Sequence, residues 1–353
     1  MTQVMDSKQK NQLLLICLAR ITFLSLSEKL NLLKKLDSFN DLALLSIEDI
    51  EKFCNRKIRA RWNGEENLRS AMLELKVMEA KHIKYVLYTD AEYPALLREC
   101  TDAPFILFYI GNISCLLGKT VSVVGTRRIT SEARRAAEEF SFDAVNDGVT
   151  VVSGLASGID GAAHRGAVNA VYDAVEKGIR LPGGRTCAVL PCGIDSVVPF
   201  VNRKLAEKIL WTGGVIVSEY VPGMPSKPWC FVQRNRIIAA LSPATVVIQA
   251  PVGSGALITA DFALESGRDV LFHKASFSEG AATVSRYIKD ELTVKHALGK
   301  VKSSKLENTP EKYLEAGAPV ISGYMDYVRV RSESFGFGSF KQNKNSQLEL
   351  AFV

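Results

Sequence analysis

The sequence predicts a doubly wound α/β fold with a mostly parallel sheet, preceded by a small helical domain. Two observations predict it. From Thr120 onward, short β-branched runs alternate with helical stretches, and the runs are near-continuously apolar, as strands covered by helices on both faces must be. Before about Tyr85 the texture differs: apolar residues recur at three- and four-residue spacing, and Gly64 is the single glycine.

In chain order, the helical part is carried by Leu13-Leu14-Ile16-Cys17-Leu18, Leu30-Leu32-Leu33-Leu36 and Leu42-Leu44-Leu45. Ser46 ahead of Ile47-Glu48-Asp49 reads as an N-cap with acids in the first turn, where the helix dipole is positive. Strands are expected at Val121–Val124, Val149–Val152, Cys187–Leu190, Val215–Val217, Val246–Ile248 and Val270–Phe272. The helices between them are Glu132–Val145, Asp160–Val175, Asn202–Leu210, Asn235–Leu241 and Ala256–Ser266. A short element around Tyr313–Val328 is expected to pack back on the sheet. The polar stretch Arg329–Val353 reads as a disordered tail. The expected division is therefore residues 1–85, helical; 86–300, α/β; and 301–353, a C-terminal segment.

Composition narrows the function classes. A chain of 353 residues, 47% hydrophobic and 23% charged, is globular and has ample core. Its net charge of +6 permits a polyanionic partner without requiring one. The apolar run Leu13–Ala19 falls far short of the roughly 18–20 residues that span a bilayer and lies inside a helical pattern, so no membrane insertion is expected. Seven scattered cysteines, an odd number in apolar contexts, suit reduced thiols and a cytoplasmic location. Four widely spread histidines offer no zinc spacing, and no metal or other cofactor is expected.

Three glycine-bearing turns follow three of the strands. Gly125-Thr126-Arg127-Arg128 leads into a helix, and such a start presents unpaired N–H groups that suit a phosphate, with two full charges beside them. Ser153-Gly154-Leu155-Ala156-Ser157-Gly158 offers hydroxyls and glycines that allow a ligand close to the backbone. Gly253-Ser254-Gly255 follows the Val246–Ile248 strand. None is a Walker loop or a G-x-G-x-x-G fingerprint, and each alone fits ordinary βα packing. Together, on one sheet edge, they point to a phosphate- or nucleotide-handling crevice.

Phe231-Val232-Gln233-Arg234-Asn235-Arg236 sets an aromatic ring, an amide and two guanidinium groups around an expected helix start. A ring stacks a base, guanidinium holds phosphate, and Asn bonds either. The plainer reading is a helix start with solvated arginines. The proline-punctuated segment Pro222–Phe231 delivers Lys227, Trp229 and Phe231 towards the same edge, and Trp229 reads equally as the anchor of the loop. Asp160 and His164 are spaced as a helical acid–base pair, but equally as a cap and a packed imidazole. Glu219, at a strand end on the same edge, is placed to orient a ligand or to pair with an arginine of the Arg-Asn-Arg helix, and the pairing is the plainer reading.

These residues resemble the DNA-processing protein A family, also called Smf, which serves natural transformation in bacteria. The matching segments are 88–112, 121–130, 151–167, 188–209, 213–223, 231–242 and 254–272, in order. The resemblance implies an extended Rossmann-like fold with a SAM-like helical N-terminal domain. It implies a non-enzymatic single-stranded DNA binder that dimerises, protects incoming strands and loads a RecA-type recombinase. It assigns DNA contact to Gly125, Thr126, Arg127, Phe231, Arg234, Asn235 and Arg236, with Lys227 as a further cation. Arg128, Ser153, Gly154, Gly158, Ser254 and Gly255 complete the expected interface from the three turns. No counterpart of the winged helix common in the family is expected in the polar stretch after Arg329. The competing class is a nucleotide phosphoribohydrolase resembling the lysine decarboxylase-like enzymes, echoed in Pro182-Gly183-Gly184-Arg185-Thr186. That segment precedes a strand and so lacks a helix start behind it. Release of adenine from adenosine monophosphate would revive it.

Overall fold

The computed structural model describes residues 7–341, with side chains described for residues 12–333. The chain opens with α1 (Ser7–Arg20), α2 (Leu26–Lys35), α3 (Phe39–Leu44), α4 (Ile47–Cys54) and α5 (Gly64–Ala80). Reciprocal capping boxes, Ser25 with Glu28, Ser38 with Asp41 and Ser46 with Asp49, start α2, α3 and α4. Leu13 to Leu18 of α1 are buried without interruption, so this stretch of the helix is apolar all round. The reason is its position. Its cluster includes Leu75 and Met78 of α5 on one side and Phe105, Phe108 and Ile216 of the sheet region on the other.

The sheet begins with β1 (Lys84–Leu87), a short α6 (Ala95–Arg98) and β2 (Ile106–Gly111). Then come β3 (Thr120–Gly125), α7 (Ser131–Asn146), β4 (Thr150–Ser153), α8 (Ile159–Glu176), β5 (Thr186–Val189), α9 (Arg203–Trp211) and β6 (Val215–Ser218). The second half runs α10 (Pro228–Ala240), β7 (Ala244–Gln249), α11 (Gly255–Glu265), β8 (Asp269–His273), α12 (Glu279–Ala297), α13 (Ser304–Glu307), α14 (Pro310–Glu315), β9 (Val320–Ile321) and α15 (Tyr324–Lys341). Strand order is β1-β2-β6-β5-β4-β3-β7-β8-β9. All neighbours are parallel except β1 with β2 and β2 with β6. This is the expected doubly wound α/β architecture. After β6 the chain returns to lay β7 on the other side of β3, so the loops after β3 and β7 diverge at the carboxyl edge and open a crevice.

The strands β3 to β8 lie where their β-branched runs predict them. Of β1, β2 and β9, only β2 carries a comparable run, Ile106–Ile110, and the strands expected from the sequence omit it. The first two form an antiparallel edge, and β9 pairs at only two positions, Val320 with Phe272 and Ile321 with His273. Two expectations need correction. The expected helix Asn235–Leu241 starts seven residues earlier: Lys227 is the N-cap of α10 and Pro228, with its preset φ, opens the helix. The tail expected to be disordered from Arg329 is helical to Lys341, because Tyr324 and Tyr327 anchor the start of α15. Both rings lie edge-on to Phe140 of α7, at 5.6 and 5.7 Å, and the Tyr324 hydroxyl donates to Asp147 at 2.6 Å. The remainder of that expectation, residues 342–353, lies outside the described residues.

Helices α7 and α8 pack closely, and Gly166 permits it. A Cβ at Gly166 would collide with the Glu138 carbonyl of α7. Gly166→Ala should therefore push the two helices apart and cost about 1–3 kcal/mol, as overpacking does. A urea unfolding curve with an unchanged midpoint would contradict this packing.

Candidate nucleic-acid interface

The crevice at the diverging loops encloses about 500 Å³. The β3–α7 turn supplies Gly125, Thr126, Arg127 and Arg128 to its wall, α10 supplies Phe231, Arg234 and Asn235, and the start of α11 supplies Ser254 and Gly255. Nine of the expected interface residues thus converge.

The turn after β3 is held from inside. Thr126 N–H donates to the Gln249 carbonyl of β7 at 2.7 Å, its carbonyl accepts from Ile159 N–H at 3.1 Å, and its hydroxyl accepts from Arg128 N–H at 3.0 Å. Gln249 Oε1 accepts from Thr130 N–H at 3.0 Å. A buried threonine therefore fixes the backbone while Arg127 and Arg128 are left exposed at the rim. The Arg127 guanidinium lies 5.3 Å from the centroid of the half-buried Phe231 ring, a cation–π pair at the mouth. Among the described residues, Arg127 makes no ion pair within 4.0 Å.

The glycines of the three turns have mainly internal work. A Cβ at Gly125 would strike Ile159, one at Gly158 would strike the Thr126 carbonyl, and one at Gly154 would strike the Arg234 guanidinium. They let the loops pack on one another. Gly255 alone of the expected set faces open space, at the start of α11 behind the N-cap Ser254, whose hydroxyl accepts from Ala256 N–H at 3.3 Å. Asn235 ties this helix start to α10 by donating to the Gly255 carbonyl at 3.3 Å.

The two arginines of the Arg-Asn-Arg segment part company. Both sit inside α10, where residues two apart point roughly 200° from each other. Arg234 is only 3% exposed and forms the crevice floor, its guanidinium donating to the carbonyls of Gly154 and Val189. Burial lowers its pKa, opposed by the charge of the buried Asp160. Arg236 turns to the opposite flank and lines a separate cleft with Lys29, Phe105, Glu219 and Trp229. It pairs there with Glu219 and, at 2.8 Å, with Asp102. Burial opposes the charge on Arg236, but Glu219 and Asp102 outweigh it and raise the pKa.

Other expected residues also fall outside the crevice wall. The Ser153 hydroxyl is buried and donates to the Val123 carbonyl at 2.7 Å. Gly154 and Gly158 lie beneath the wall, and the exposed Lys227 occupies the cap of α10 without reaching the lining. Trp229 meets Tyr220 edge-on at 6.1 Å. Asp160 accepts from Ala156 N–H at 3.3 Å as a loop cap, while burial raises its pKa against the pull of Arg234. His164 shares a 2.7 Å hydrogen bond with Thr186, and burial, with Arg234 next, lowers its pKa to about 3. The spacing of Asp160 and His164 therefore reflects a cap and a packed neutral imidazole.

Sequence reasoning missed the far wall. Ile288, Glu291, Leu292 and Lys295 of α12, with Lys305 of α13, complete the crevice. The only signal in the sequence was a lysine-rich stretch from Lys289 to Lys305, which reads equally as a solvated helix face.

Among the described residues, no helix is long and apolar enough to cross a membrane. The sequence profile of the family described as DNA recombination-mediator protein A matches residues 84–304. Protein Smf of Borreliella burgdorferi is 33% identical over 283 residues, covering 80% of this chain and 86% of that protein. The DNA processing protein DprA of Streptococcus pneumoniae is 38% identical over 191 residues, and the match covers 54% of this chain and 63% of that one. The X-ray structure of the DNA processing protein A of S. pneumoniae superposes with a TM-score of 0.61 at 27% identity, covering 89% of this chain and 95% of that chain. With the parallel sheet, its switch-point crevice and these matches in hand, the chain belongs to the DNA recombination-mediator protein A family.

Proposed function

We propose that the chain binds single-stranded DNA across the crevice as a non-enzymatic DNA-processing protein. The observation that carries this reading is the Arg127–Phe231 pair, an unpaired guanidinium 5.3 Å from an aromatic ring at the crevice mouth. Phe231 stacks a base, and Arg127 meets the neighbouring phosphate. The N–H groups at the start of α11, beside the open Gly255, add a second place for phosphate. Arg234 shapes this surface from beneath. The internal engagement of Asp160 and His164 supports binding over acid–base catalysis. In this reading the chain acts as a homodimer in the cytoplasm, protects the strand and hands it to a RecA-type recombinase.

The test is a titration with a labelled oligonucleotide at several salt concentrations, with light scattering for stoichiometry. Arg127→Ala should weaken binding and flatten the log–log salt slope by about 0.7 per lost phosphate contact. Phe231→Ala should weaken binding by about 1–3 kcal/mol with the slope nearly intact, because stacking releases no counterion. If both variants bind as the unmodified protein does, the DNA site lies elsewhere.

A further inference from the structure

The adjacent arginines of the β3–α7 turn are laid on two different rings, one lining the crevice and one just outside it on α12. Arg127 lies against Phe231 of α10, and the Arg128 guanidinium lies 5.6 Å from the centroid of Tyr287 on α12. Tyr287 is 67% exposed, so its ring is not a core residue that happens to pass near a cation. One turn further along α12, Glu291 accepts a hydrogen bond from Arg128 at 3.0 Å and from Lys295 at 2.6 Å. This carboxylate is an anion held between two cations on the crevice wall, the place where a phosphate would sit. Lys295 and Arg128 hold its carboxyl below the usual range. Lys305 adds another cation on the same wall.

We propose that Tyr287, Arg128 and Lys295 form a second nucleotide subsite for single-stranded nucleic acid, in which Tyr287 stacks a base and an incoming phosphate displaces Glu291. The proposal rests on the reading of the crevice as a DNA site and extends it to the wall built by α12. The chemistry follows from the groups present. A solvent-facing ring beside a guanidinium stacks any base, and two cations already organised around a carboxylate accept a phosphate in its place. Glu291 keeps Arg128 and Lys295 from repelling each other while the crevice is empty. It also tempers affinity, since its release must accompany binding.

The experiment measures oligothymidylate binding by fluorescence anisotropy for the full chain and for Tyr287→Ala, Tyr287→Phe and Glu291→Gln, with Phe231→Ala as reference. Each variant is checked first by its thermal unfolding midpoint. Tyr287→Ala should bind roughly tenfold more weakly, within the range for loss of one base–aromatic stack. Tyr287→Phe should bind as the unmodified chain does, because the ring and not the hydroxyl is used. Glu291→Gln should bind more tightly at low salt. Shortening the oligomer until it fills one subsite should erase the effect of Tyr287→Ala while leaving that of Phe231→Ala. If Tyr287→Ala and Glu291→Gln bind like the unmodified chain while Phe231→Ala is impaired, the second subsite is wrong and the first stands. If Phe231→Ala and Arg127→Ala are also without effect, the DNA reading of the crevice falls, and this subsite with it.

Discussion

Replacing Arg234 by alanine should destabilise the protein by about 3–5 kcal/mol and abolish DNA binding with it, the usual scale for stranding a buried charge. The guanidinium donates to the carbonyls of Gly154 and Val189, at the ends of β4 and β5, and its Nε donates to Asn235 at 3.2 Å. It is also the main charge offsetting the buried Asp160. Alanine would leave those carbonyls without a donor, Asp160 without compensation and a void beneath the crevice. Lysine keeps the charge but has no second nitrogen to replace the Nε–H bond to Asn235, so Arg234→Lys should recover only part of the loss. Urea unfolding measures the stability term. Oligonucleotide titration at low urea, where each variant remains folded, measures the binding term. An unfolding midpoint for Arg234→Ala equal to that of the unmodified protein would mean that the floor of the crevice does not depend on this residue. The contrast is with Arg127→Ala, which should lose affinity while unfolding nearly normally, because Arg127 is exposed and its contact with Phe231 lies at the rim.

Arg236→Met should be costly in a different way. The substitution leaves Glu219 buried without its partner, again about 3–5 kcal/mol. The second pair, with the largely exposed Asp102, adds little. Burial already raises the pKa of Glu219 against the pull of Arg236, so removing Arg236 raises it further. A carboxyl that binds its proton more tightly folded than unfolded loses stability as pH rises, so the deficit should widen above the ordinary carboxylate range. Adding Glu219→Gln should restore a large share by removing the stranded charge, and the double-mutant cycle measures the coupling. The salt slope of single-stranded DNA binding should be unchanged in the folded variant, since Arg236 faces the other flank of α10. A slope flattened by one phosphate's worth would return Arg236 to the DNA contacts that family resemblance assigns it.

Much of the fold was legible because its determinants are local. The runs Val121–Val124 and Val246–Ile248 are short, β-branched and followed by glycine turns, which marks them as buried strands, and the alternation with helices implies the crossover topology. Capping residues such as Ser46 announce their helices from three positions. The strands β1 and β9 were not legible, because short edge segments take their pairing from neighbours elsewhere in the chain; β2 is an apolar run, Ile106–Ile110, whose antiparallel pairing with β6 the sequence does not announce. The reach of α15 past Arg329 depends on Tyr324 and Tyr327 meeting Phe140, almost two hundred residues earlier in the chain. The far crevice wall was hidden for the same reason: nothing between Glu279 and Lys305 says which loop it will face.

The sequence by itself determined that glycine turns, an exposed arginine pair and an aromatic would gather at one sheet edge, since strand direction and loop position follow from the alternation of elements. Only the tertiary structure decided what each does. Lys227 and Pro228 start α10 early, so Arg234 and Arg236 lie within the helix and point about 200° apart. One becomes the floor of the crevice and the other a buried ion pair beyond it. Most of the glycines that looked made for a ligand accommodate the neighbouring loops instead, because a Cβ there would meet protein atoms. Residue type states what a side chain can bind. Burial and direction, which depend on the whole chain, select which of those partners it meets.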